Sequence, residues 1–118
     1  MDERRITVAV DAMGGDYAPV EIVRGAILAS QELDLDIILV GLENRLQKEL
    51  GDLSSSRIRI ASASEVVEMG EEAARAIRTK KNSSIAVAAR LCKEGKADAL
   101  VSAGNTGAST MALAPNAP

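Results

Sequence analysis

Apolar positions along this chain follow two rhythms, short unbroken runs and stripes about three to four residues apart, and the two alternate. The run at residues 6–10 (ITVAV) reads as a buried strand, stopped by Asp11 and by the pair Gly14 and Gly15. Residues 19–31 read as a helix. Pro19 suits the first helical position, Glu21 suits the positive helix end, and Val20, Val23 and Ile27 form a stripe. Residues 36–40 (DIILV) predict a second strand ended by Gly41, and residues 43–50 a short helix ended by Gly51. In residues 57–62, Ile58 and Ile60 alternate with Arg57 and Arg59, which predicts a third strand at an edge or half covered. Residues 71–78 read as helix and 80–84 as a polar turn. Residues 84–95 read as a helix capped by Ser84, with Ile85, Ala88, Ala89 and Cys92 on one face and Gly95 at its end. Asp98 ends the turn that leads into a fourth strand at 97–103, and residues 106–114 start another helix.

The resulting order, β-α-β-α-β-α-α-β-α, predicts an α/β fold: a mostly parallel sheet with right-handed crossovers and helices on both faces. With no internal repeat and no low-complexity linker, residues 1–118 are expected to form a single α/β lobe. Composition sharpens the picture. Apolar residues make up 47% of the chain, yet there is no Phe or Trp and Tyr17 is the sole aromatic, so the core is aliphatic, as in a sheet covered on both faces. A net charge of −3 and the missing stacking platform argue against a nucleic-acid partner. No apolar run approaches the roughly 18–20 residues of a membrane span, and a charged tip runs straight into the first strand, so no signal peptide is expected. The lone Cys92 excludes an internal disulfide and fits a cytoplasmic location.

The chain has no histidine, which removes Ser-His and Cys-His triads, His-ligated zinc and an imidazole base. Chemistry falls to carboxylates, lysines, hydroxyls, amides and backbone N–H groups. In an open parallel sheet, ligands gather at the carboxyl ends of the strands. Three loops stand there: residues 11–16 (DAMGGD), 80–84 (KKNSS) and 102–109 (SAGNTGAS). In the last, a strand passes through glycines to a helix start, which builds an N–H-lined pocket suited to phosphate or carboxylate. Gly104 and Gly107 allow close approach, and Ser102, Asn105, Thr106 and Ser109 add neutral donors. Neither a Walker A loop nor G-x-G-x-x-G is present. The same residues would also serve a simple tight turn with capping hydroxyls. Lys80 and Lys81 precede Ser83 and Ser84 at a helix start, as an anion trap or as a solvated charge run. Asp11 and Asp16 flank a glycine turn. They could orient a hydroxyl or amine, bind a cation or act as a base, or merely stop the strand in an Asx-type turn. Met13 lines an apolar slot or covers that turn, and Cys92 reads as core rather than as a catalytic thiol.

Taken together, residues 8–29 (VAVDAMGGDYAPVEIVRGAILA), 65–69 (EVVEM) and 76–108 (AIRTKKNSSIAVAARLCKEGKADALVSAGNTGA) resemble the bacterial phosphate acyltransferases of phospholipid synthesis, the PlsX family. The likeness runs from Ile6 to about Leu113. It implies a fold similar to that of isocitrate and isopropylmalate dehydrogenases and of phosphotransacetylase. It also implies transfer of a long-chain acyl group from acyl carrier protein to inorganic phosphate, giving acyl phosphate. The family works as a homodimer without a metal or organic cofactor, in the cytoplasm and in peripheral contact with the membrane. Its chains are far longer, so residues 1–118 resemble an N-terminal portion, and "APNAP" after Leu113 departs from the family's helix. The remainder would hold the rest of the sheet, much of the dimer interface, the membrane-touching segment and part of the catalytic set, so full activity is not expected of this portion alone.

Beside this resemblance, the chemistry of the three loops themselves assigns the catalytic roles to Lys81, Asn105 and Asp11. Phosphate or substrate binding falls to Asp16, Gly14, Gly15, Lys80, Ser83, Ser84, Ser102, Gly104, Thr106 and Gly107. Attack of phosphate on a thioester needs an anion cradle, a stabiliser for the oxyanion and a slot for the acyl chain, but no obligatory histidine. Three alternatives remain open: a phosphate acetyl- or butyryltransferase using acyl-coenzyme A, a metal- and NAD-dependent decarboxylating dehydrogenase, and a non-catalytic anion-binding lobe that self-associates through a bare sheet edge.

Overall fold

The computed structural model describes residues 5–53, 57–104, 107, 108 and 112. The described elements follow the expected order. They are β1 (Ile6–Asp11), α1 (Val20–Glu32), β2 (Leu35–Gly41), α2 (Glu43–Leu50), β3 (Ile58–Ser62), α3 (Ala73–Thr79), α4 (Ser84–Lys93) and β4 (Ala99–Val101), with a 3-10 turn at Gly51–Leu53. Gly107, Ala108 and Ala112 are helical; the rest of the helix expected at 106–114 lies outside the described residues. The strands form one sheet in the order β3-β2-β1-β4, and every neighbouring pair is parallel. This is an α/β fold with helices on both faces.

Side chains alternate across a strand, and here both alternates are apolar because both faces are covered. Val10, Ile37, Leu39 and Ile58 point to the face covered by Val23, Ala26 and Ile27 of α1 and by Leu46 and Leu50 of α2. Ala9, Ile38 and Val40 point the other way, to Ala88 of α4 and to Ala63 and Ala97. The small side chains on that second face let α4 sit close to the sheet. Beyond α4, Ala76 and Ile77 of α3 pack with Ile85, Ala89, Ala108 and Ala112. On the α1 side, an apolar groove of about 360 Å³ lies beside the β4 edge, lined by residues including Val8, Val10, Ile22, Ala26, Ile37 and Val101. At the opposite edge β3 carries an exposed Arg59, as the arginine alternation predicts.

Several boundaries move by a residue or two, each for a local reason. Pro19 is the residue before α1 rather than its first turn, and the helix starts at Val20. α3 starts at Ala73 rather than at 71, because the Glu72 carboxylate caps it by accepting the N–H groups of Ala74 and Arg75 at 3.1 and 2.9 Å. Ser83, not Ser84, caps α4: its Oγ accepts the Ala86 N–H at 3.2 Å. Gly95, with φ 77°, adopts the left-handed conformation expected just past a helix end. Asp98 does more than end a turn. Its N–H donates to Thr7 O at 2.7 Å and its Oδ2 accepts the Thr7 N–H at 2.9 Å, which fixes β4 in register on β1.

Leu39 is 0% exposed at the centre of the sheet and Leu33 is 55% exposed after α1. Leu39→Ala is therefore expected to cost about 2–5 kcal/mol, and Leu33→Ala no more than about 0.5 kcal/mol, in chemical denaturation of the chain. Equal losses for the two would contradict the packing described.

Candidate functional site

The strand order places a reversal between β1 and β4. The helix that leaves β1, α1, lies on one face, and the helix that enters β4, α4, lies on the other. At such a switch point the strand ends part and open a crevice, the usual ligand position of open α/β sheets. Asp11 ends β1 and Ser102 follows β4, so both stand at its floor.

Asp11 is 4% exposed, and its carboxylate gathers three donors. Oδ1 accepts the Ser84 hydroxyl at 2.5 Å and the Met13 N–H at 3.2 Å, and Oδ2 accepts the Ser102 hydroxyl at 2.9 Å. A buried carboxylate persists only when its oxygens are satisfied in this way. All three loops singled out from the sequence, through Met13, Ser84 and Ser102, thus meet on one side chain. Ser84 and Ser102 differ from the expectation that they donate directly to an anion. Their hydroxyl protons are directed at Asp11, and while those bonds hold they present only lone pairs. Ser102 Oγ uses one of its lone pairs to accept the Gly104 N–H at 3.1 Å.

The glycines let the two strand-end loops touch backbone to backbone. A methyl group on Gly14 would lie 2.8 Å from Asp11 Oδ2 and 2.9 Å from Gly104 N, and one on Gly104 would lie 3.1 Å from Gly14 Cα. Gly15 has φ 98°, a conformation glycine adopts without strain, and it lies against Ala103. Met13 covers rather than lines a slot: it is buried, and its Cγ lies 2.7 Å from where a Gly41 methyl would stand. Asp16 is exposed and Gly107 is exposed. Asn105, Thr106 and Ser109 lie outside the described residues.

The lysine pair is split. Lys80 Nζ binds Glu71 Oε1 at 2.5 Å and donates to Val66 O at 2.8 Å, so its ammonium is engaged by the loop between β3 and α3. Lys81 is exposed, and its carbonyl accepts Arg90 Nη2 at 2.9 Å. The Glu68 N–H first, and the Lys80 ammonium second, hold the Glu71 carboxyl below its ordinary pKa. A depressed carboxyl supports the fold above its unfolded value, so this support is present at neutral pH and fades as pH falls through the lowered pKa. Sequence reading missed Glu71; the only signal is a carboxylate and an ammonium flanking a short helix. Burial first, and the Asp98 charge second, push the Cys92 thiol up, consistent with a packing role.

Among the described residues there is no cluster of His, Cys, Asp or Glu that could hold a metal ion. No described helix is long and apolar enough to cross a membrane.

The model of the family described as Fatty acid synthesis protein matches residues 6–116. The phosphate acyltransferase of Desulfitobacterium hafniense is 57% identical over 103 residues, 86% of this chain and 30% of that protein. That of Desulforamulus reducens is 60% identical over 104 residues, 87% of this chain and 31% of that protein. That of Dictyoglomus thermophilum is 53% identical over 103 residues, 86% and 31% of the respective chains. The chain thus spans about 30% of the length of these curated relatives.

Three outcomes follow from this geometry. Asp11→Ala, which strands the buried Ser84 hydroxyl and the half-buried Ser102 hydroxyl, is expected to cost about 3 kcal/mol, and Gly14→Ala, which drives the loops apart, about 1–3 kcal/mol, both read from denaturation midpoints. Cys92 should be alkylated more slowly than a free thiol at pH 7 and at the ordinary rate once the chain is unfolded; native-state labelling at the free-thiol rate would contradict its placement.

Proposed function

We propose, from the premise that this chain belongs to the Fatty acid synthesis protein family, that it supplies the phosphate-handling crevice of a phosphate acyltransferase. The reaction is attack by a phosphate oxygen on the carbonyl carbon of an acyl thioester. A C–O bond forms, the C–S bond breaks, and the proton of hydrogen phosphate ends on the departing thiolate. Acyl phosphate and free thiol are the products. Phosphate is already anionic and thiolate leaves readily, so the protein's work is positioning and stabilising charge. A chain without histidine is equipped for that.

One observation supports this reading above the rest: the Asp11 carboxylate ties the end of β1, the start of α4 and the end of β4 together at the switch point of the sheet. In this reading Asp11 does not itself hold phosphate. It fixes Ser84 and Ser102, and through them the glycine loops; with the Gly104 N–H held by Ser102 Oγ, the other N–H groups of these loops, with Asn105 and Thr106 beyond Gly104, receive the phosphate or the developing oxyanion. Of the two adjacent lysines, Lys81 remains the exposed cation that can meet the anion. The acyl donor is acyl carrier protein.

The test uses the full-length enzyme with acyl-[acyl carrier protein] and inorganic phosphate, with acyl phosphate trapped by hydroxylamine. Turnover is expected with the carrier-bound donor, a drop of about a hundredfold in Asp11→Asn from misplacement of the loops, and a raised KM for phosphate in Lys81→Ala. Turnover with acyl-coenzyme A alone would overturn the donor assignment. Full activity in Asp11→Asn would remove the crevice from the reaction.

A further inference from the structure

We propose that Lys80 and Glu71 form a clasp that sets Ser84 against Asp11, so that both are positioning residues and neither contacts phosphate; this rests on the function proposed above. The two residues flank α3, with Glu71 just before its cap and Lys80 just after its last turn. Their charged atoms meet at 2.5 Å, closing a ring around the helix, and both side chains are about 30% exposed or less. Each also pins the preceding loop: Lys80 Nζ holds Val66 O at 2.8 Å, and Glu71 Oε1 accepts the Glu68 N–H at 2.8 Å.

The loop so pinned lies along the entrance to α4. The N–H groups of Ser64 and Glu65 donate to Asn82 O at 3.1 and 3.2 Å, the Asn82 N–H donates to Glu65 Oε1 at 3.3 Å, and the Ser84 N–H donates to Glu65 O at 3.0 Å. Glu65 and Ser83 form an isolated parallel bridge. The Ser84 N–H belongs to the first turn of a helix, where no intrahelical acceptor exists, so the Glu65 carbonyl is what satisfies it. With its N–H held by Glu65 O and its hydroxyl by Asp11, Ser84 is fixed at two points. The physical path runs from Lys80 to Val66, to its neighbour Glu65, to Ser84 and on to Asp11. An ammonium shared between a carboxylate and a carbonyl is an expensive group to lend to a ligand, since any anion would compete with Glu71 for it.

The deciding experiment compares Lys80→Met, Glu71→Gln, their double variant and Lys80→Arg in the full-length enzyme. A clasp predicts that Lys80→Met and Glu71→Gln each lower kcat by about five- to tenfold with the KM for phosphate within about twofold. The double variant should be no worse than either single one, and Lys80→Arg should recover most of the rate. Amide exchange in residues 82–86 of the same proteins should speed up in both single variants and not in Lys80→Arg. If Lys80→Met raises the KM for phosphate tenfold or more while Glu71→Gln leaves or lowers it, Lys80 is a phosphate ligand and the clasp is overturned. Unchanged exchange at Ser84 overturns it irrespective of activity. Should the wild-type enzyme form no acyl phosphate, the proposed reaction fails, and the exchange measurement still decides the clasp.

Discussion

A single buried carboxylate organises this molecule. Asp11 is almost wholly buried, so its charge is tolerable only because three protein donors replace the lost hydration. Those donors come from Met13, Ser84 and Ser102, which belong to three separate stretches of chain. The strand end, the helix start and the far strand end are thereby held in one arrangement. The close contact of Gly14 with Gly104 is the steric counterpart of that electrostatic tie. Any side chain there would push apart the loops that the carboxylate draws together.

The fold around this point explains why it is placed where it is. Strand order β3-β2-β1-β4 makes β1 the pivot: its helix leaves to one face and the helix entering β4 arrives from the other. The aliphatic composition serves the same end. Leucines, isoleucines and valines fill the α1 and α2 side, whereas alanines dominate where α4 meets β1. Small residues bring the first turn of α4 close enough for a serine, one of the shortest polar side chains, to reach the carboxylate.

Much of this was legible in the residues. The alternation of apolar runs and stripes marks every described strand and α-helix, though not the 3-10 turn at Gly51–Leu53, and arginine alternation marks β3 as an edge. The loops carrying Asp11, Gly14, Ser102 and Gly104 could be singled out because parallel sheets present their chemistry at strand ends. What periodicity could not reveal is which partner each polar group chooses. Two adjacent serines are equally good caps by type; only Asp11, 73 residues away, makes Ser84 turn inward and leaves the cap to Ser83. Likewise two adjacent lysines look alike, yet the carboxylate of Glu71 captures one of them. Such choices depend on long-range geometry, which the local sequence does not encode.

The separation along the chain of the groups that meet at Asp11 also bears on when the crevice can come into being. Its two hydroxyl partners lie 73 and 91 positions downstream. Closing loops of that length carries an entropic penalty that only a largely assembled sheet can offset. During synthesis on the ribosome, the β1–α1–β2–α2–β3 layer can pair as it emerges, while β4 and the Asp98 bonds to Thr7 must wait for the distant segment. The crevice is thus a late event in folding, and until it closes Asp11 stays hydrated at the end of a strand paired on its β2 side alone.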